Sequence, residues 1–106
     1  MNYATEQPDP KTIESLEGPA VLIFGTNWCG FCQAAQAMIE QVLSDVRRVE
    51  VEDGRGRKLG RMFRVKLWPT LIFLRDGVEV ARVVRPQAPA ELAAALATLK
   101  ASATGG

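Results

Sequence analysis

The chain has 106 residues, 47% of them apolar, with 13 basic against 12 acidic side chains and a net charge of +1. That length holds one real core but not two, and no apolar run approaches the roughly 20 residues a membrane-spanning helix needs. The near-neutral charge argues against non-specific attraction to nucleic acid or anionic lipid, although eight of the thirteen basic residues crowd between Arg47 and Lys66, a run read first as a solvated face.

The opening MNYATEQPDPK carries no basic segment followed by an apolar stretch, so it does not read as a signal peptide. The cytosol is the default compartment, with the periplasm in its place if an exported precursor was trimmed. Residues 1–9 read as an N-terminal segment, 10–100 as the domain and 101–106, ending ASATGG, as a disordered tail. Asp9 followed by Pro10 signals a helix start, and Ile13 and Leu16 give a short apolar stripe over 10–17. GPAVLIFG, residues 18–25, is a continuous apolar run bounded by glycines, as expected for a strand buried on both faces.

From Cys29 to Leu43, Cys32, Ala35, Ile39 and Val42 recur at helical spacing, which predicts a long helix with CGFC in its first turn. Val49 and Val51 alternate with Arg48, Glu50 and Glu52 in a second strand, which DGRG ends. A short helix is expected over Arg57 to Phe63, with Leu59, Met62 and Phe63 facing inward. TLIFL (70–74) and VEVARVV (78–84) then form two strands joined at Asp76 and Gly77. Pro89 opens a closing helix with Leu92, Leu96 and Leu99 on one side. The first two strands need a crossover helix and so run parallel, while the tight turn makes the last two antiparallel. The fold class is therefore α/β, a mixed four-stranded sheet with helices on both faces.

Cys29 and Cys32 are the only cysteines, and the chain has no histidine. A structural zinc site needs four ligands, so it would have to recruit carboxylates or a second chain. Covalent haem attachment needs a histidine after the second cysteine, where Gln33 stands. A purely structural disulfide would close a very short loop, which stabilises least. The reading that remains is a redox dithiol, and neither a metal nor an organic cofactor is implied. Cys29 falls at the start of the long helix, where orphan N–H groups and the dipole favour a thiolate by roughly 0.3–1 kcal/mol. Any further stabilisation must come from hydrogen bonds, for which the turn at Phe31 and Cys32 is placed. Cys32 lies one turn in, with its sulfur on the same face. Cys29 is thus expected to attack and Cys32 to resolve.

WCGFC after a buried strand, together with Trp68-Pro69-Thr70 and LIFLRDGVEVARVV further on, resembles the thioredoxin family over roughly residues 18–100. The resemblance implies a thioredoxin-like fold and a disulfide oxidoreductase acting in cell redox homeostasis, with Pro69 cis and facing the cysteine pair. It implies that Trp28, Gly30, Phe31, Trp68 and Pro69 contact substrate, an extended segment of a protein disulfide. It also implies electrons from a reductase or a small thiol, with no nucleic-acid or membrane partner. Three positions depart from the family. Phe31 replaces a proline between the cysteines. Ile23 stands where thioredoxins bury an aspartate, so either Glu50 or a bound water takes the proton of Cys32 or that step is slow and strongly pH-dependent. Arg85 stands about where they have a glycine that lets substrate approach. A redox-sensing binding module, or an oxidase or isomerase in an exported setting, are the other readings.

Overall fold

The computed structural model describes residues 8–102. Asp9 caps α1 (Pro10–Glu14), its carboxylate accepting from the Lys11 amide at 2.9 Å, and Pro10 occupies the first turn. The helix stops three residues short of the expected 17, because Ser15 turns its hydroxyl back onto the Lys11 carbonyl at 2.7 Å. β1 (Pro19–Gly25) is buried from Ala20 onward. α2 (Gly30–Val42) matches the predicted long helix, with Cys29 and Leu43 serving as its caps rather than its ends. β2 (Arg47–Glu52) follows, and α3 (Lys58–Met62) is a single short helix.

Met62 corrects the expectation for α3. It is 55% exposed, whereas Leu59 and Gly60 are buried and Phe63 packs at the core margin. Gly60 is the reason: a Cβ there would lie 2.6 Å from the Asp53 Cγ, so the bare glycine face is what lies against Asp53. At 100° per residue, a helix that turns positions 59, 60 and 63 inward turns 62 away.

β3 (Thr70–Arg75), β4 (Val78–Val84) and α4 (Pro89–Ser102) complete the chain. The sheet order is β2-β1-β3-β4, with β1 parallel to β2 and antiparallel to β3, and β3 antiparallel to β4. The mixed four-stranded sheet is therefore as read from the sequence. Alternation along the strands divides the core in two. Val21, Ile23, Leu71 and Phe73 meet α2 and α4 on one face, through Cys32, Ala35, Ile39, Leu92 and Leu99. Ala20, Leu22, Phe24, Val51, Ile72 and Leu74 meet Ile13, Leu16 and Leu59 on the other. Leu96 packs at the margin of the first cluster, with Ala95 buried beside it.

The β3–β4 turn needs positive φ at both central residues, and Asp76 (51°) and Gly77 (80°) supply it. Asp76 also accepts from the Gly18 amide at 2.7 Å, tying the turn to the start of β1. A Cβ on Gly77 would lie 2.8 Å from the Glu14 carbonyl carbon, against the end of α1. Gly77→Ala therefore combines a left-handed backbone penalty with overpacking. We expect a loss of at least about 2 kcal/mol in a urea unfolding experiment; a midpoint equal to that of the unaltered protein would contradict this account of the turn.

Candidate active site

One register position gathers the site. Thr70, the first residue of β3, pairs with Phe24 near the end of β1 and with Val84 at the end of β4. The segment leaving β1 (Gly25 to Cys29), the segment entering β3 (Leu67 to Pro69) and the residue leaving β4 (Arg85) therefore emerge at one end of the sheet. The Trp68-Pro69 peptide is cis, as the sequence motif implied. Its segment is pinned on both sides, since the Thr70 hydroxyl donates to the Leu67 carbonyl at 2.6 Å and the Arg85 amide donates to the Pro69 carbonyl at 2.8 Å.

Cys29 is the N-cap of α2, and its Sγ accepts the Cys32 backbone N–H at 3.3 Å. That donor and the N-terminal end of α2 both lie at the sulfur. The two sulfurs are not joined in a disulfide. They differ in access, Cys29 being 8% exposed and Cys32 1%. Gln33 braces the approach loop by donating its side-chain amide to the Asn27 carbonyl at 2.9 Å.

The aromatic residues surround this pair. Trp28 is 73% exposed and Phe31 57%, so neither is a core side chain. Trp28 meets Trp68 edge to face, with ring centroids 5.7 Å apart at 83°. Trp68 is half-buried and packs against the cluster that contains both cysteines. Gly30 opens α2, and a Cβ there would meet nothing within 4 Å, so the surrounding side chains leave room at that position. Pro69 is buried.

Two contacts in this region were not foreseen. Asp53, which the sequence placed only in the DGRG break after the second strand, is buried and accepts the Trp68 indole N–H at 2.8 Å, while its own amide donates to the Gly25 carbonyl at 2.9 Å. One residue thereby joins the end of β1 to the ring beside the cysteines. The only signal in the sequence was an aspartate followed by glycine directly after a strand, which reads equally well as an ordinary turn. Arg85 donates Nε–H to the Trp68 carbonyl at 2.9 Å, and its guanidinium carbon stands 4.1 Å from the centroid of the Phe31 ring.

Under the cysteines the sheet is apolar. Ile23 is fully buried in their cluster. The register sets Glu50 beside it on β2, half-buried and turned to the α2 face. Burial pushes the Glu50 carboxyl above the usual carboxylate range, Arg48 opposes the shift, and Glu40 on α2 adds to it.

The profile of the thioredoxin family matches residues 4–98. The chain belongs to the thioredoxin family. Its fold superimposes on the solved structure of thioredoxin 2 from Pseudomonas aeruginosa PAO1 in its reduced form with a TM-score of 0.84, at 50% identity over 96% of this chain and 97% of that one. Thioredoxin of Mycolicibacterium smegmatis is 28% identical over 80 residues, which is 70% of this chain and 71% of the relative. Thioredoxin of Chlamydia pneumoniae is 31% identical over 70 residues, 63% of this chain and 69% of the relative. The protein is a thiol-disulfide oxidoreductase of this family. Among the described residues no helix is long and apolar enough to cross a membrane, and no group of three or more potential ligand side chains could hold a metal ion.

Two outcomes follow for this thioredoxin-family site. Asp53→Ala leaves the Trp68 N–H without its charged acceptor, so stability should fall by about 2 kcal/mol; Asp53→Asn, which keeps an acceptor oxygen, should lose less. Equal unfolding midpoints for all three proteins would remove the Asp53–Trp68 bond from the account. For Glu50 the folded-state carboxyl titrates above its unfolded value. Its protonated form is therefore the one that folding favours, and that contribution is lost as pH rises through the folded titration. Glu50→Gln should be more stable than the parent at pH 7, and the gap should close as pH falls below the unfolded carboxylate value. A gap that is constant with pH would mean that burial of the charge is not its cause.

Proposed function

We propose that this thioredoxin-family protein reduces disulfides in protein substrates, with Cys29 as the attacking thiolate and Cys32 as the resolving thiol, and that it serves cell redox homeostasis. The observation that carries the reading is the asymmetry of the pair. Cys29 sits at the surface end with an N–H directed at its sulfur, and Cys32 is closed off beneath it. A disulfide in another macromolecule can therefore meet Cys29 first.

In the first step the Cys29 thiolate attacks one sulfur of the substrate disulfide, forming a mixed disulfide and expelling the second substrate sulfur as a thiolate, which takes a proton from solvent. Cys32 then gives up its proton and attacks the Cys29 sulfur. The Cys29–substrate bond breaks, the Cys29–Cys32 bond forms, and the substrate sulfur that Cys29 had attacked leaves as a thiolate. Two electrons pass from the protein dithiol to the substrate. A reductase or a small thiol returns them. Since Ile23 offers no acceptor beneath Cys32, the proton goes to Glu50, the carboxyl beside Ile23 on the α2 face, or to a water.

Trp28, Gly30, Phe31, Trp68 and Pro69 form the contact surface in this reading. Exposed indole and phenyl faces supply apolar area at low conformational cost. The open space at Gly30 lets a substrate chain lie close to the cysteine turn. Pro69 and the backbone of Trp68 meet an extended substrate segment.

Cys32→Ser should stop the reaction after the first step and accumulate a covalent adduct with a disulfide-containing model protein. Cys29→Ser should form no adduct. Equilibration of the wild-type pair with glutathione buffers should give a potential at or below roughly −220 mV, the upper bound of the cytosolic poise. A clearly more oxidising value would support disulfide oxidation or isomerisation instead. Failure to exchange, coupled with redox-dependent binding to a partner, would support a sensing module.

A further inference from the structure

We infer that Arg85 selects substrates by their charge, so that this site prefers protein disulfides whose cysteine is flanked by a carboxylate side chain; the inference rests on the reductive reading given above. The residue is held where the backbone resists it. Its φ is +48°, a left-handed conformation that is uncommon for a side chain other than glycine. Such a residue marks a position worth questioning for function.

The strained backbone delivers a guanidinium to the rim of the redox site. Nε–H is fixed on the Trp68 carbonyl, and the guanidinium carbon is 4.1 Å from the Phe31 ring centroid, between the two cysteines in sequence. These two contacts hold the planar fork in place. No carboxylate among the described residues lies within ion-pairing distance of it. Asp53, the nearby buried acid, is turned to the Trp68 indole N–H instead. The terminal NH2 groups of the fork therefore have capacity for an oxygen ligand, and a carboxylate matches that geometry better than any neutral group. An ammonium would not replace it fully, because only the guanidinium can donate Nε–H to the Trp68 carbonyl and still present its terminal NH2 groups as a fork.

A cation held in this way acts on the approach and docking of substrate, not on the sulfur chemistry itself. It favours an acidic neighbour of the substrate cysteine and disfavours a basic one. Two partly exposed charges attract by up to about 1 kcal/mol, a factor of about five in rate or affinity.

The experiment uses three peptide disulfides identical except for Glu, Gln or Lys beside the reactive cysteine. Rates with reduced protein are divided by the rates of the same peptides with dithiothreitol, which removes intrinsic differences in leaving-group reactivity. The wild-type protein should reduce the Glu peptide about five-fold faster than the Gln peptide and leave the Lys peptide slowest. The advantage should shrink as ionic strength rises. Arg85→Asn, chosen because asparagine tolerates the left-handed backbone, should abolish the ordering, and Arg85→Lys should keep only part of it. Equal normalised rates in the wild-type protein would overturn the inference whatever the variants do, as would an ordering that survives in Arg85→Asn. If the protein reduces none of the three, the reductive reading falls as well, and that outcome differs visibly from equal reduction of all.

Discussion

The pairing at Thr70 is the constraint from which the rest of the site follows. β1 and β3 are antiparallel, so the end of one lies opposite the start of the other, and β4 ends at the same level. Three chain segments far apart in sequence must then leave the sheet side by side. The pairing itself is held by burial on both faces, with Val21, Ile23, Leu71 and Phe73 under one helix layer and Ala20, Leu22, Ile72 and Leu74 under the other. Slipping the register by one residue would exchange these two sets, so the hydrophobic effect that stabilises the domain also fixes which residues surround Cys29.

Much of this was legible from the chain because it was local. The all-apolar run at 20–24 read as a strand buried on both faces, the alternation at Val49 and Val51 gave a second strand, and Asp76-Gly77 announced its turn. Cys29, Cys32 and the Trp68-Pro69 segment were singled out by motif. What escaped depends on contacts across the fold. Asp53 pairs with a ring fifteen positions away, and nothing near Asp53 in the chain distinguishes it from a turn residue. Met62 was placed inward by spacing, but the helix rotates to lay Gly60 on Asp53, a fact that belongs to the packing and not to the period of the helix itself. Arg85 stood out in the sequence as a cation near the groove, yet its partners, a carbonyl and a phenyl ring, could be learned only from the assembled structure.

The chemistry of the site divides by depth. At the surface are aromatic rings and a cation, groups suited to meeting another molecule. One layer down are the two sulfurs, at the positive end of a helix. Beneath them the packing is aliphatic, with Ile23 fully buried. A buried isoleucine can hold the sulfurs in place but offers them no atom that takes up a proton.

The margin of the sheet at β2 has a second role. β2 is one of the two outer strands, and an outer strand leaves a row of N–H and C=O groups open to pairing with a strand of another molecule. Here the strand alternates Arg48 and Glu50 on its α2 side with Val49 and Val51 on the other. Arg48 reaches Glu40 of α2 at 3.0 Å, and Glu50 holds a charge that burial disfavours. An incoming strand laid along this edge would have to cover those charges further and strip their remaining water. The half-buried carboxyl of Glu50 thus also sets a desolvation cost against a strand of another molecule pairing along β2.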